Sequence, residues 1–134
     1  MILTLEQGQA ILQGATTKAK EIGVAASVVV LDGAGHLKAF YRMDGAWLGS
    51  IDVAMKKART SVLFEIDTQS LWDICKPGAQ AHGLDLTNGG LVTFAGGIAL
   101  KTTDGMLLGA VGVSGGQVSQ DFEIASAASA ALAN

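Results

Sequence analysis

Cysteine, charged residues and long apolar runs are all scarce in this sequence of 134 residues. A single cysteine, Cys75, excludes an internal disulfide and a cysteine-based metal cluster. Charged residues make up 16% of the chain, the net charge is −3, and no run of lysine or arginine occurs. Nucleic-acid binding needs a basic footprint, so this composition argues against it.

Membrane insertion is also disfavoured. The longest apolar run, residues 24–31, is the length of a strand, whereas a spanning helix needs about 18–20 apolar residues. The first residues carry no charged segment followed by an apolar one, so we expect a cytoplasmic protein. The alternative of a secretion signal removed before residue 1 stays open.

Apolar residues are abundant, at 49%. A chain of this length can bury a stable core without disulfides or a structural metal, and we expect one domain over residues 1–134. So few charges leave apolar surface uncovered, which favours burial of some of it against other subunits.

Apolar periodicity and end signals predict helices over residues 5–22, 49–64, 68–74 and 120–132. Thr4 and Gln7 form the pattern of a capping box for the first helix. Ser50 and Ser119 are the expected caps of the second and last helices.

Five strands are expected, over residues 25–31, 36–42, 91–94, 97–102 and 106–113. The segment Asp32-Gly33-Ala34-Gly35 and the pair Asp104-Gly105 predict two hairpins. Hairpins make the sheet largely antiparallel, and a Rossmann fold would instead need repeated crossovers. We therefore predict an α+β fold with helices covering an antiparallel sheet.

A glycine-rich segment, residues 109–116, ends the last strand before the last helix. Free N–H groups at a helix start attract anions, so Gly112, Ser114, Gly115 and Gly116 could cradle a carboxylate or phosphate. Alternatively, small residues are needed there for close packing of strand and helix.

Charged side chains suggest further candidates. Arg42 could bind a carboxylate, or it could pair internally with Asp44 or Asp52. Asp52 and Lys56 have the spacing of a surface ion pair. Lys57 is rotated away from Lys56 toward the buried stripe, where a half-buried ammonium could hold an anionic ligand.

Two histidines complete the candidates. His36 follows a glycine-rich turn and should be solvated. His82 lies in the long loop of residues 78–90 and is the better candidate for a haem or metal ligand, or an ordinary loop residue. Their separation fits no metal-binding spacing.

Several motifs occur in an order that resembles one family. They are VLDGAGHL (30–37), RMDGA (42–46), SIDVA (50–54) with Lys57-Ala58, Pro77-Gly78, Gly83-Leu84 with Thr87-Asn88, FAGGIAL (94–100), and GAVGVSGG (109–116) followed by Gln120-Asp121. This set resembles the GlcG/HbpS-like haem-binding family, also found as the C-terminal domain of PduO-type corrinoid adenosyltransferases.

The resemblance implies a profilin-like fold with a central five-stranded antiparallel sheet, and dimers that commonly assemble to octamers. It implies haem binding in some members and lyase activity on hydroxylamino-aromatic acids in others. Ala95 stands where the family usually has a glycine, which adds a methyl group near the expected pocket.

Three hypotheses follow. The first is a homo-oligomer that binds a small anionic ligand, haem among them, through Arg42, Asp44, Lys57, Thr87, Asn88 and the Gly112–Gly116 corner. The second is a lyase or isomerase acting on an aromatic or 2-hydroxy acid, with Asp52 or Asp44 as base and Lys57 as electrostatic stabiliser. The third is an assembly role without a ligand.

Overall fold

The computed structural model describes residues 2–132, so Met1, Ala133 and Asn134 of the predicted domain lie outside it. Its elements, in chain order, are α1 (Leu5–Ile22), β1 (Ser27–Asp32), β2 (Leu37–Arg42), α2 (Gly49–Phe64), a 3-10 turn (Thr68–Leu71), α3 (Trp72–Cys75), a second 3-10 turn (Leu84–Leu86), β3 (Gly97–Lys101), β4 (Leu107–Ser114) and α4 (Val118–Ala130). No helix among these is long and apolar enough to cross a membrane.

The described residues form one sheet of four antiparallel strands in the order β2-β1-β4-β3. The α+β class and both hairpins are confirmed, and the strand bounds differ from prediction by one or two residues. The expectation of five strands is wrong, because residues 91–94 form no strand. The Leu91 N–H donates to the Asp85 carbonyl (2.9 Å) and the Val92 N–H to Thr60 Oγ1 (3.1 Å). These donors are satisfied by a loop and a helix, so the segment needs no strand partner.

The first two long helices have the predicted bounds. Thr4 and Gln7 form the expected capping box, with N···O distances of 3.1 and 2.8 Å. The predicted Ser50 cap is wrong: Leu48 precedes α2 without a side-chain cap, and the Ser50 hydroxyl donates to the Trp47 carbonyl at 2.6 Å.

The last helix begins earlier than predicted. Gln117 caps α4 through a reciprocal capping box with Gln120, whose Oε1 accepts the Gln117 N–H at 2.9 Å. Ser119 therefore lies inside the first turn, and its predicted role as the cap is wrong.

The sheet separates two helical layers. On one face, α1 and α4 pack over Val28, Val30, Val111 and Val113, and on the other α2 packs over Val29, Leu31 and Ala110. This division follows from the alternation of side chains along a strand. Close packing of α2 requires Gly112 in β4, since a Cβ there would lie 2.0 Å from the Ala54 carbonyl oxygen.

Candidate functional site

Lys57 is fully buried at one end of the sheet, not half-buried as its position in the pattern suggested. Its Nζ donates to the Val113 carbonyl (2.7 Å) and to Asp121 Oδ2 (3.1 Å), and it lies 5.1 Å from the centre of the Phe94 ring. A Cβ at Gly96 would lie 2.5 Å from this Nζ, so a glycine there leaves room for the lysine side chain.

Asp121 is the partner of this buried cation. It lies in the first turn of α4, and its side chain is 4% exposed. Its Oδ1 accepts the Gly116 N–H at 2.9 Å, while Oδ2 faces Lys57. Burial lowers the pKa of Lys57, and the negative charge of Asp121 opposes that shift. The pair ties α2 to the corner between β4 and α4.

The glycine corner is therefore partly satisfied within the chain. Asp121 occupies the Gly116 N–H that an anion would otherwise take. A Cβ at Gly115 would lie 2.4 Å from the Ala25 carbonyl oxygen, so close packing also requires this glycine. Ser114, 9% exposed, is the hydroxyl of this corner that still borders an open cavity.

Two adjoining depressions meet at this corner and share Phe94 and Val118. The first, of about 360 Å³, is lined by residues from the starts of α2 and α4 and the end of β4: Trp47, Gly49, Ser50, Val53, Phe94, Ser114, Gly115, Gly116, Val118 and Asp121. The second, of about 450 Å³, is mainly apolar and lined by Gln69, Trp72, Thr93, Phe94, Ala95 and Val118. We call the two together the groove. Ala95 thus lies at its wall, where we expected its extra methyl group.

Arg42 and Asp44 lie away from the groove, in a separate depression of about 420 Å³ that also contains Tyr41. Arg42 Nη1 donates to the Ala46 carbonyl at 3.3 Å. Arg42 forms no ion pair with either predicted partner in the part of the chain described, so the expected internal pair is wrong. Burial raises the pKa of the Tyr41 hydroxyl in this depression.

Asp52 also faces away from the groove. It forms the predicted surface pair with Lys56 at 3.3 Å; the Asp52 side chain is 70% exposed and that of Lys56 41%. Neither residue lines the depressions described above.

The loop candidates are exposed and lie outside the groove. Thr87 and Asn88 bond to each other at 2.9 Å, and the Asn88 carbonyl accepts the Arg59 guanidinium. His82 is exposed and lines neither depression. Of the predicted site residues, the structure brings together Lys57, Gly112 and the Ser114–Gly116 corner.

Sequence reasoning missed Asp121 and the aromatic wall of Trp47, Trp72 and Phe94. In the sequence Asp121 stands out only as the end of the last ordered motif, Gln120-Asp121. The sequence signal near the ion pair is Gly96-Gly97 and concerns Lys57: a Cβ at Gly96 would lie 2.5 Å from the Lys57 Nζ, so glycine leaves room for this side chain.

An antiparallel sheet between two helical layers, with a buried ion pair under a groove at one end, defines a small α+β domain with a cavity of ligand size. The chain belongs to the HbpS-like family: the model described as "Haem degrading protein HbpS-like" matches residues 3–130.

Relatives are similar in sequence to almost the whole of this chain. It is 38% identical to an uncharacterized 15.0 kDa protein from the dhaT-dhaS intergenic region of Citrobacter freundii, over 94% of this chain and 89% of that protein. It is 40% identical to the corrinoid adenosyltransferase PduO of Salmonella typhimurium over 90% of this chain, but spans only 36% of that protein. The crystal structure of the PduOC:Heme complex is 38% identical to this chain, with a TM-score of 0.92, and the match covers 98% of this chain and 95% of that one.

Proposed function

We propose that this protein is a homo-oligomer that binds a small anionic molecule with a large apolar part, haem among the candidates, in the groove. The observation that carries the proposal is the pairing of an apolar depression with a polar one across Phe94 and Val118. Ligand sites of about 300–1,000 Å³ typically combine apolar walls with a few placed polar groups. The domain alone spans about a third of PduO, so the adenosyltransferase activity of that protein is not carried over.

Haem matches this groove in part. Its apolar macrocycle can pack on the aromatic side chains, and its carboxylates suit the positive ends of the two helices. Within residues 2–132 no histidine, cysteine or methionine lines either depression. The groove would therefore hold the macrocycle, whereas an imidazole ligand for the iron, such as His82, would come from outside it.

Exposed aromatic residues support oligomerisation beside the groove. Trp47 is 78% exposed, Leu48 72%, Trp72 49% and Phe94 46%. Contiguous exposed apolar surface of this kind marks interaction sites. We place the groove at a subunit interface, in a dimer or larger assembly. Light scattering of the wild type and of Trp47→Glu tests this: an oligomer that the variant shifts to lower mass is expected, and a monomeric wild type contradicts it.

Titration with haemin tests the ligand. We expect a saturable Soret shift that Phe94→Ala and Trp72→Ala weaken. Leu86→Ala is the matched control, because Leu86 is 82% exposed and lies outside the groove. A Soret maximum that His82→Ala leaves unchanged removes His82 as iron ligand, and no saturable shift in the wild type removes haem.

The second candidate is a lyase or isomerase on a small aromatic or 2-hydroxy acid. The observation in its favour is Lys57, a buried lysine with a lowered pKa, since such groups cluster at catalytic sites. Asp44 and Asp52, the bases first considered, lie outside the groove, which leaves Asp121 as the carboxylate bordering it. Turnover that Lys57→Met abolishes while ligand binding persists would favour this candidate, and unchanged turnover would exclude this lysine.

A further inference from the structure

We propose that one acidic group of the ligand, a carboxylate or sulfonate, is recognised at the Ser114 hydroxyl between the first turns of α2 and α4, and not by Lys57. This inference rests on the proposed function, because it names the anion-binding point of the same groove.

Ser114 is the first observation. It is 9% exposed and lines the polar depression. It follows Ala110 and Gly112 at alternate positions of β4, so its side chain points to the α2 side of the sheet. Neighbouring hydroxyls are paired, as Ser27 is with Ser50 at 2.9 Å, but no side-chain hydrogen bond among residues 2–132 involves Ser114 Oγ. The enclosed side-chain atoms without a partner among the described residues are Ser61 Oγ and Gln69 Oε1, so Ser114 Oγ is open to the cavity, where a ligand can accept its hydrogen bond.

Two helix starts border the same depression. Gly49 is the first residue of α2 and Val118 the first of α4, and both line the cavity with Ser114. The first N–H groups of a helix have no partner within it and carry a partial positive charge. At the start of α2 the Ser50 and Ile51 N–H groups donate to the Trp47 and Leu48 carbonyls at 3.0 and 3.2 Å, which leaves the N–H of Gly49. In α4 Gln117 accepts the N–H of Gln120, three residues on. The N–H of Val118 therefore remains for an acceptor from outside.

The buried ion pair cannot take this role. Lys57 has no exposed surface, and its nitrogen already donates to Val113 and Asp121 beneath the cavity. The two charges compensate each other at 3.1 Å. What faces the ligand is the hydroxyl and the two helix starts, whose summed field favours an anion.

A matched pair of fluorescent probes tests the inference. Anilinonaphthalene sulfonate carries an acidic group, and phenylnaphthylamine has nearly the same aromatic body without it. We expect Phe94→Ala to weaken both, which locates them in the groove. Ser114→Ala should raise the Kd of the sulfonate by about fivefold or more and that of the neutral probe by less than about twofold.

Val118→Pro is a second, independent variant. Proline is favoured at the first position of a helix, and Gln117 has the extended conformation (φ −67°, ψ 159°) that a following proline requires. The substitution removes one N–H donor while the helix remains, so it should lower the preference for the sulfonate in the same direction. Thr103→Ala, in the exposed hairpin at the opposite end of β4, is the control and should change neither probe.

The outcomes separate the two proposals. If the wild type binds both probes, and Ser114→Ala and Val118→Pro change the two Kd values equally or not at all, the acidic group is not recognised at Ser114. The groove then remains a ligand site. If the wild type binds neither probe, the groove is not a ligand site, and the proposed recognition of the acidic group at Ser114 is wrong as well. Loss of sulfonate preference in both variants, with the control unchanged, supports the inference.

Discussion

Removing the ammonium of Lys57 should destabilise this protein more than any other change of a single charge that we consider. Lys57→Met keeps most of the aliphatic stem and leaves the Asp121 carboxylate, 4% exposed, with the Gly116 N–H alone. Loss of one partner of a buried pair leaves an uncompensated charge in a poorly solvating environment. We therefore expect the free energy of unfolding to fall by about 3–5 kcal/mol.

The double variant Lys57→Met/Asp121→Leu separates the destabilisation caused by an unpaired buried charge from the net contribution of the ion pair to stability. Replacing both members with apolar groups removes the burial penalty of two ions, so the double variant should be more stable than Lys57→Met alone. Lys56→Met is the matched control one residue away. Its partner Asp52 is exposed, and the loss should stay below about 0.5 kcal/mol.

Urea unfolding followed by circular dichroism measures all four proteins. The protein concentration is held fixed, because association would add to the apparent stability. The reasoning is refuted if Lys57→Met lies within about 1 kcal/mol of the wild type, or if the double variant is less stable than the single one.

Three further predictions concern the fold. Gly112→Ala should lower the free energy of unfolding by about 3 kcal/mol or more in thermal or urea unfolding, because its Cβ would lie 2.0 Å from the Ala54 carbonyl oxygen. Gly49→Ala is the control: its Cβ would meet no atom within 4 Å, so stability should stay the same or rise. Equal losses of stability in the two variants would contradict this packing. Backbone N–H groups of the following turn lower the pKa of Asp32 below 3.8, so its stabilisation is complete above that pH and is lost as the pH falls through the lowered value. The stability difference between the wild type and Asp32→Asn should shrink with acidification, and a constant difference would be evidence against it. Burial raises the pKa of the Cys75 thiol, so a disulfide reagent should label it slowly in the folded protein and quickly in denaturant; fast labelling of the folded protein would exclude its burial.

Periodicity and end signals predicted the helices and hairpins of this chain well, since α1 and α2 have the bounds that the apolar pattern indicates. They failed where tertiary contacts replace local rules. Residues 91–94 have strand-forming side chains, but Thr60 and Asp85 accept their backbone N–H groups, so no strand forms. A hydrogen bond to a side chain of a distant helix leaves no local signal.

The candidate site could be predicted only in part. The pattern places Lys57 toward the buried stripe, but its full burial depends on Asp121, which is 64 positions away in the sequence. Arg42 and Asp44 belong to a motif of the family, yet the fold turns them to another depression. Short motifs show which residues occur together in a family, and only packing shows which of them share a cavity.

The outer edge of β3 has one more consequence. Its Gly97 and Ala99 N–H groups donate to Thr68 Oγ1 (3.0 Å) and Asp67 Oδ1 (3.2 Å), so side chains of the adjacent turn block that edge. Among the described residues, β2 is then the remaining edge at which the sheet could be extended by another strand. Two copies joined edge to edge through β2 would present a blocked β3 at each end. Growth by sheet extension would then stop at a pair, because neither free end offers an unblocked strand edge.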